Sequence, residues 1–330
     1  VYAILPVIYE VSYNAGVRPE RAMAGAAVAG QVGITASPIA AATAAMIGLL
    51  AANGHAELGL GSILMVTFPA CLTGVVVASV LLMRHGKELK DDAEYQARLA
   101  AGLVKAPTPI DNKPLPKEAG RSVIIFALAI LVIVCAGFFP ELRVLPGQTK
   151  GVSMSLVIEC VMLTAGAAMC AFCKPDVSKV AKSPVLQAGV VAIAAVFGIA
   201  WMADSFIAAN RQFFMDFCGQ LAQSLPILFA LVLALMSALL ASQGATTRAI
   251  MPLGFALGIH PMMLIAMFPA VNCLFVLPTN GPALAAVGMD LSGTTKIGKF
   301  VFNHSMQLPG LLMVIIAVAT ACGIVKVMGY

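Results

Sequence analysis

Residues 31–42, QVGITASPIAAA, set Thr35, Ser37 and Pro38 inside an apolar, small-residue run that extends from 22 to 52. Without them the run reads as one continuous membrane helix. Hydrocarbon offers backbone amides and carbonyls no partners, so such an interruption is tolerated at membrane depth only where protein or a water-filled cavity takes up the freed groups. The knot is therefore a candidate binding site around which the rest of the chain is organised.

The surrounding composition agrees with a membrane setting. Of 330 residues, 60% are hydrophobic and only 11% charged, well outside the range of soluble domains. A polytopic membrane protein follows. The net charge of +5 lies in loops, so it speaks to orientation and not to nucleic acid. Cys71, Cys135, Cys160, Cys273 and Cys322 sit in apolar runs, where a thiol behaves as a small hydrophobe. Cys170 and Cys173 form a CxxC pair without the second pair or nearby histidine that a structural metal site needs, so no metal is expected.

Charge orders the segments. Residues 1–11 are too short to span and read as the tail of an element begun upstream, and Arg18 and Arg21 mark the next turn as cytoplasmic. Pro19 suits the first turn of the broken segment 22–52. Residues 62–83 form a clean span. From 84 to 121 come eight Lys or Arg, six acids and four prolines, a cytoplasmic loop in which 87–104 is helix-compatible and reads as solvated. Further spans are expected at 122–139, 152–173 and 185–202, then a second polar cluster at Ser242–Arg248, a third at 277–282 (LPTNGP), and a last span at 300–325. The domain reading is a first-repeat transport segment at 1–83, the loop at 84–121, scaffold spans at 122–203, and a second-repeat segment with the last span at 204–330.

The knots at 31–42 and 277–282 pair. Ser37 can cap a half-helix with Pro38 at its first position, running to about residue 50; Asn280 or Gly281 can cap another, with Pro282 first and 283–289 as its body. Loop charges run the first broken segment outward and the second inward. Opposed broken helices are what an inverted-repeat transporter sets at the bilayer midplane, where half-helix N-termini hold anionic groups without a buried base. Two such N-termini favour a substrate with a carboxylate at each end. Against this stands a plainer reading, in which Ser and Thr bond back to a preceding carbonyl and proline merely kinks the helix.

With these residues in view, the chain resembles the anaerobic C4-dicarboxylate transporters, the Dcu carriers. The likeness rests on PVIYEVSYNAGVRPERAM, ITASPIAAA, VFGIAWMADSF, ASQGATT, VLPTNGPALAA and DLSGTTKIGKFVFNHSMQLPG. It implies an all-α fold of the ion-transporter superfamily, with inverted repeats, two broken transmembrane helices and re-entrant hairpins, moving substrate by an elevator-type shift. It also implies a multi-pass protein of the bacterial inner membrane that exchanges fumarate, malate or aspartate for succinate in anaerobic respiration. Thr35, Ser37, Pro38, Thr279 and Asn280 then line the two breaks. Ser242, Gln243, Thr246 and Thr247 lie at the tip of the second hairpin, and Arg18 attracts or gates the dianion. The family's N-terminal part, with the first hairpin tip, is expected before Val1. A departure lies at 278–281, where the family pattern PTYP gives way to Pro278, Thr279, Asn280 and Gly281, exchanging a tyrosine for an amide; this bears on substrate preference.

Glu159, an acid within an expected span, is a functional candidate by default. Asn303 and His304 read first as a capping pair for the last span, and a proton-coupling histidine is the alternative. Asp204 would line the outer vestibule or be solvated. No HExxH, GxSxG or paired intramembrane acids are present, so no enzyme is expected. The expected partners are small dicarboxylates and the bilayer, with a homodimer left open. No cofactor is expected, and a coupling Na+ or H+ stays open. The rival reading is a Na+- or H+-coupled dicarboxylate or citrate symporter of the same superfamily.

Overall fold

The computed structural model describes residues 4–38, 40–104, 106, 117–144, 146–147, 151–152, 154–180, 182 and 227–330, with scattered positions between 186 and 216. The described residues are helical, with no strand beyond an isolated bridge between Ile297 and His304. The chain divides into two compact units, Val1–Ile110 with Gln187–Tyr330, and Asp111–Leu186.

Helix α1 covers Leu5–Asn14 and α2 covers Pro19–Val32. Pro19 starts α2, where a missing N–H leaves no bond unmade. After Val32 the chain tightens into successive turns, with Ile34 N bonded to Gln31 O at 3.0 Å, Ala36 N to Gly33 O at 3.2 Å and Ser37 N to Ile34 O at 3.1 Å. Helix α3 begins only at Ala41 and runs to Ala52, with Ala40 at its cap position and no side-chain cap bond. The expectation of a Ser37 cap and a Pro38 first residue is thereby corrected. The backbone at Ser37 closes the last turn of the unwinding segment and is not free to open the next helix. At 14 and 12 residues, α2 and α3 rise about 21 and 18 Å, each short of a hydrocarbon core of about 30 Å.

Helix α4, Leu60–Leu82, follows. A single 3-10 turn at Leu89–Asp91 then leads to α5, Ala93–Ala100, capped by Asp92, whose carboxylate accepts from the amides of Glu94 and Tyr95. In the second unit, α6 (Lys117–Phe138) packs on α7 (Met154–Cys173), and α8 (Val177–Val180) is one short turn. Nearly all of the expected span 185–202, and Asp204, lie outside the described residues.

The first unit resumes with α9 (Leu228–Leu240) and α10 (Gln243–Ala256). Ala241 reverses the chain in the left-handed region at φ 48°, and Ser242 caps α10 by accepting from Ala245 N. With 13 and 14 residues these helices are also too short to cross. Helix α11 (Pro261–Met267) continues as a 3-10 segment, Phe268–Val276, and after a break the chain enters α12 (Gly281–Met289) at an angle of 47°. Asn280 is the cap, and Pro282 takes the second helical position, not the first.

The last helix, α13, covers Gln307–Val327 with Met306 at its cap position. Residues 300–306, expected as its first turns, instead close a loop in which Gly298 N bonds Asn303 O at 2.6 Å and Ser305 N bonds Lys296 O at 3.0 Å. Asn303 and His304 therefore do not cap it. Upstream, the Asp290 carboxylate accepts from Ser292, from Thr294 Oγ1 at 2.9 Å and from Thr295 N at 2.6 Å.

Among the described residues α4 and α13 are long and apolar enough to cross a bilayer, and the bent segment Pro261–Val276 with Gly281–Met289 makes a third candidate. Helices α4 and α13 pack closely. A Cβ on Gly74 would sit 2.4 Å from the Met313 carbonyl oxygen, so the approach depends on the absent side chain. In lipid such contacts gain from van der Waals packing and not from release of water. Around them lies one cluster of buried residues from α3, α4, α9, α10, α11, the 3-10 segment after it and α13, including Met46, Phe229 and Phe268. A second, with Val28, Phe275 and Met313, packs α2 and α12 against α4 and α13.

Candidate functional site

The two breaks meet through their side chains. Gln31, in the last turn of α2, is buried, and its Nε2 donates to Oδ1 of Asn280 at 2.7 Å. The same oxygen accepts from Ala283 N at 3.0 Å, the cap bond of α12, while Asn280 Nδ2 donates to the Leu274 carbonyl at 3.0 Å. One amide thus starts a helix, ties down the segment before the break and receives the other broken helix. Fully buried Asn272 makes the converse connection: its Nδ2 donates to Thr35 Oγ1 at 2.8 Å, to Pro269 O at 2.9 Å and more distantly to Val32 O at 3.4 Å. Thr35 Oγ1 also lies 3.5 Å from Cys71 Sγ on α4.

The junction is uncharged. Its polar inventory is amide, hydroxyl and thiol, and two acceptors in it, Gln31 Oε1 and Asn272 Oδ1, are buried without a partner among the described residues. A buried acceptor left unmade costs about 1–3 kcal/mol. A ligand group or water with a proton to donate would relieve that cost.

A second cluster forms where α3 and α10 begin. Thr246 and Thr247 are buried and donate to Ser242 O at 2.8 Å and Gln243 O at 2.7 Å, so their protons are used within the first turn. Gly244 is buried, and a Cβ built on it would lie 3.7 Å from Ala41 Cβ and 3.6 Å from both terminal nitrogens of Arg248. The first turns of α3 and α10 therefore adjoin, and the Arg248 guanidinium folds back over them. Each helix N-terminus carries roughly half a positive charge. Adding a guanidinium with no carboxylate partner among the described residues makes this spot an attractor for anions. Thr43, in the first turn of α3, adds a buried hydroxyl without a partner among the described residues.

Arg18 lies elsewhere, at the start of α2, and is 8% exposed. Its Nη1 bonds the Asp92 carboxylate and its Nε donates to Glu20 Oε2 at 2.6 Å. Burial opposes the charge on Arg18, but these two carboxylates outweigh it and raise the guanidinium pKa. For Asp92, partial burial is outweighed by the bonds from Arg18 and the Tyr95 and Glu94 amides, and its carboxyl is held below the ordinary value. The same segment makes three more bonds: Arg21 to Glu88 at 2.8 Å, Lys296 to Glu94 at 2.5 Å, and Tyr13 Oη to Tyr95 Oη at 2.9 Å. Residues 87–104 are therefore no free solvated helix. They form a cap docked on the end of α1, the start of α2 and the loop after α12.

Comparison with known proteins then places the chain. The model of the anaerobic C4-dicarboxylate membrane transporter family matches residues 1–329. The chain belongs to that family. It is 37% identical over 321 residues to the anaerobic C4-dicarboxylate transporter DcuB of Escherichia coli O6:H1, covering 94% of this chain and 71% of that protein. It is likewise 37% identical to the C4-dicarboxylate transporter DcuA of Escherichia coli K12, over 96% of this chain and 72% of that protein, with the same three figures for DcuA of Wolinella succinogenes. No solved structure matches. The family and these relatives are transporters and not enzymes.

In this family member the expected site residues fall into three groups. Thr35 and Asn280 belong to the junction of breaks, and Ser242, Gln243, Thr246 and Thr247 to the start of α10. Arg18 belongs to the docked cap. Ser37, Pro38 and Thr279 lie in the non-helical segments of the two breaks, with Thr279 N bonded to Leu277 O at 2.8 Å. Gln31, Asn272 and Arg248 are additions. The first two carry a signal that was readable, a lone amide in an apolar run, where polar groups need a reason. Glu159 is exposed on α7, in the other compact unit.

Proposed function

We propose that this protein is a C4-dicarboxylate antiporter of the bacterial inner membrane, exchanging fumarate, malate or aspartate for succinate. Membership of the family along residues 1–329 carries the reading, and the curated names of the relatives supply the substrate class. The chemistry of the two clusters supports it. Arg248, with the α3 and α10 N-termini, suits one carboxylate, held by dipoles and a single guanidinium and so readily released. The uncharged junction offers Thr35 and Asn280 to the rest of the ligand. Its oxygens on Gln31 and Asn272, unpartnered among the described residues, suit the hydroxyl of malate or the ammonium of aspartate, groups that bring donors. The inverted relation of the two breaks, the re-entrant character of α9–α10 and an elevator-type movement belong to the same proposal. So does a multi-pass topology with Arg18 and Lys296 on the cytoplasmic side.

The test is counterflow. Proteoliposomes loaded with succinate and given no ion gradient should take up labelled fumarate. Uptake that instead requires a Na+ or H+ gradient, and ignores internal succinate, would establish the symporter reading. Absence of any dicarboxylate uptake would end both.

A further inference from the structure

The loop between α12 and α13 contains a histidine that neither the junction nor the cap uses. His304 is 6% exposed. Its Nε2 lies 3.3 Å from the carbonyl oxygen of Val276, the last residue of the 3-10 segment and the point where the second helix break begins. With a carbonyl as partner, Nε2 must carry the hydrogen. The other ring nitrogen, Nδ1, is then a bare acceptor, and it is buried with no partner among the described residues. Beside the ring stands Gln307, the first residue of α13, whose Oε1 is also buried and unpartnered.

A neutral imidazole next to an amide oxygen is therefore one proton short of a complete bond. A proton on Nδ1 would supply it, donating to Gln307 Oε1 while Nε2–H keeps its bond to Val276. Rotation of the Gln307 amide would let its NH2 donate to Nδ1 in the deprotonated state, so the same pair can serve both forms. An ordinary buried histidine, fixed in one tautomer by a donor on one side and an acceptor on the other, lacks this second option. Burial lowers the affinity of the ring for a proton, and the Val276 carbonyl and the neighbouring Gln307 side chain partly restore it. The ring is thus neutral at neutral pH until something nearby favours charge.

The charged and titratable groups around it are few. On its own loop stand Asp290, Lys296 and Lys299; Asp290 is bonded to Ser292, Thr294 and Thr295, Lys296 to Glu94 of the cap, and the Arg98 guanidinium of the cap lies against Gly293. From α2, Glu20 reaches the loop through Ser305 Oγ at 2.6 Å and is held by Arg18. The 3-10 segment brings only the Cys273 thiol, while α12 and the first turns of α13 bring no charge. The fixed carboxylates nearby are therefore already engaged by other partners, and the free negative charge to be expected near the break is that of the ligand.

We infer that His304 takes up a proton as a dicarboxylate binds at the adjacent break, and so makes substrate affinity depend on pH. This rests on the transport reading above. By linkage, whatever factor the dianion adds to proton affinity the proton must return to dianion affinity, and such factors commonly lie at about 5–150-fold.

The experiment is fumarate counterflow in proteoliposomes with both sides set to the same pH, from about pH 6 to about pH 8, the range over which imidazole titrates and fumarate stays a dianion. Wild-type protein should show a half-saturation concentration about five-fold or more tighter at the acid end. His304→Gln, whose amide can still donate to Val276 O, should transport with that pH dependence gone. The second measurement is proton uptake by wild-type protein in weakly buffered detergent near pH 7 when fumarate is added, expected at a sizeable fraction of one proton per chain. An unchanged pH slope in His304→Gln overturns the inference while leaving transport standing, as does a wild type that exchanges without a pH slope or binds fumarate without proton uptake. Should the variant fail to fold, proton uptake by the wild type decides. A wild type that exchanges no dicarboxylate at any pH refutes the transport reading itself, and this inference with it.

Discussion

Asn272→Ala should loosen the protein at the point where its two broken helices are joined. The side chain is fully buried and donates to Thr35 Oγ1 at 2.8 Å and Pro269 O at 2.9 Å, with Val32 O more distant at 3.4 Å. In water, stranding two buried acceptors would cost about 2–6 kcal/mol. In a bilayer the unfolded reference state also finds partners, and hydrogen bonds between membrane helices average about 0.6 kcal/mol with a maximum near 1.7. Two good bonds therefore give about 1–3 kcal/mol, with a further term for the small cavity left. Asn272→Asp keeps the volume but sets a carboxylate, which has no proton to give, against the same acceptors, and should cost more than the alanine. Thermal melting of purified protein in detergent ranks the variants, and fumarate counterflow reports whether the junction still works. Equal melting midpoints for wild type and both variants would refute the claim that this amide holds the breaks together.

Three further outcomes follow from other parts of the molecule. Arg248→Gln should leave melting within experimental scatter, since the side chain is exposed, but raise the half-saturation for fumarate roughly 10- to 150-fold, the worth of a charge-assisted bond of about 1.5–3 kcal/mol; unchanged kinetics would remove Arg248 from the site. Asp92→Asn should release the cap, speeding hydrogen exchange across 87–104 with little change in α4 and α13. The carboxyl of Asp92 is depressed in the folded state, so its contribution is fully present above the ordinary carboxylate range and is lost as pH falls through the lowered value; wild-type protection that stays constant down to strong acid would contradict this. Gly74→Ala places a Cβ 2.4 Å from the Met313 carbonyl oxygen, backbone that cannot turn aside, and should lower stability by about 1–3 kcal/mol in the same melting assay.

How far the sequence revealed this arrangement depended on the range of the forces involved. The cap at Asn280 and the start of α2 at Pro19 were legible because a cap is settled by residues within one turn. The start of α3 was not, although Ser37-Pro38 carries the same local signal, because residues 33–37 spend their backbone groups on closing turns before the helix can begin. Residues 300–306 carried an apolar FVF run that reads as the first turns of a span. Hydrogen bonds between Gly298 and Asn303 and between Lys296 and Ser305 hold them in a loop instead. The cap at 87–104 was hidden for another reason: its bonds join Arg18 to Asp92 and Lys296 to Glu94, pairs that no periodicity relates. Family resemblance supplied the substrate class that composition could not.

The guanidinium of Arg248, without a carboxylate partner among the described residues, has a kinetic side. An exchanger must keep its empty site from crossing, or the gradient it couples to leaks away. An empty site here would present a cation over two positive helix ends, and taking such a charge to the centre of a bilayer costs about 2.5–3.5 kcal/mol even on insertion scales. A bound carboxylate cancels it. On the antiport and elevator readings proposed above, that barrier would fall on the unloaded crossing, slowing it about 70- to 400-fold by the same arithmetic, and one-for-one exchange would then follow from electrostatics without a separate lock.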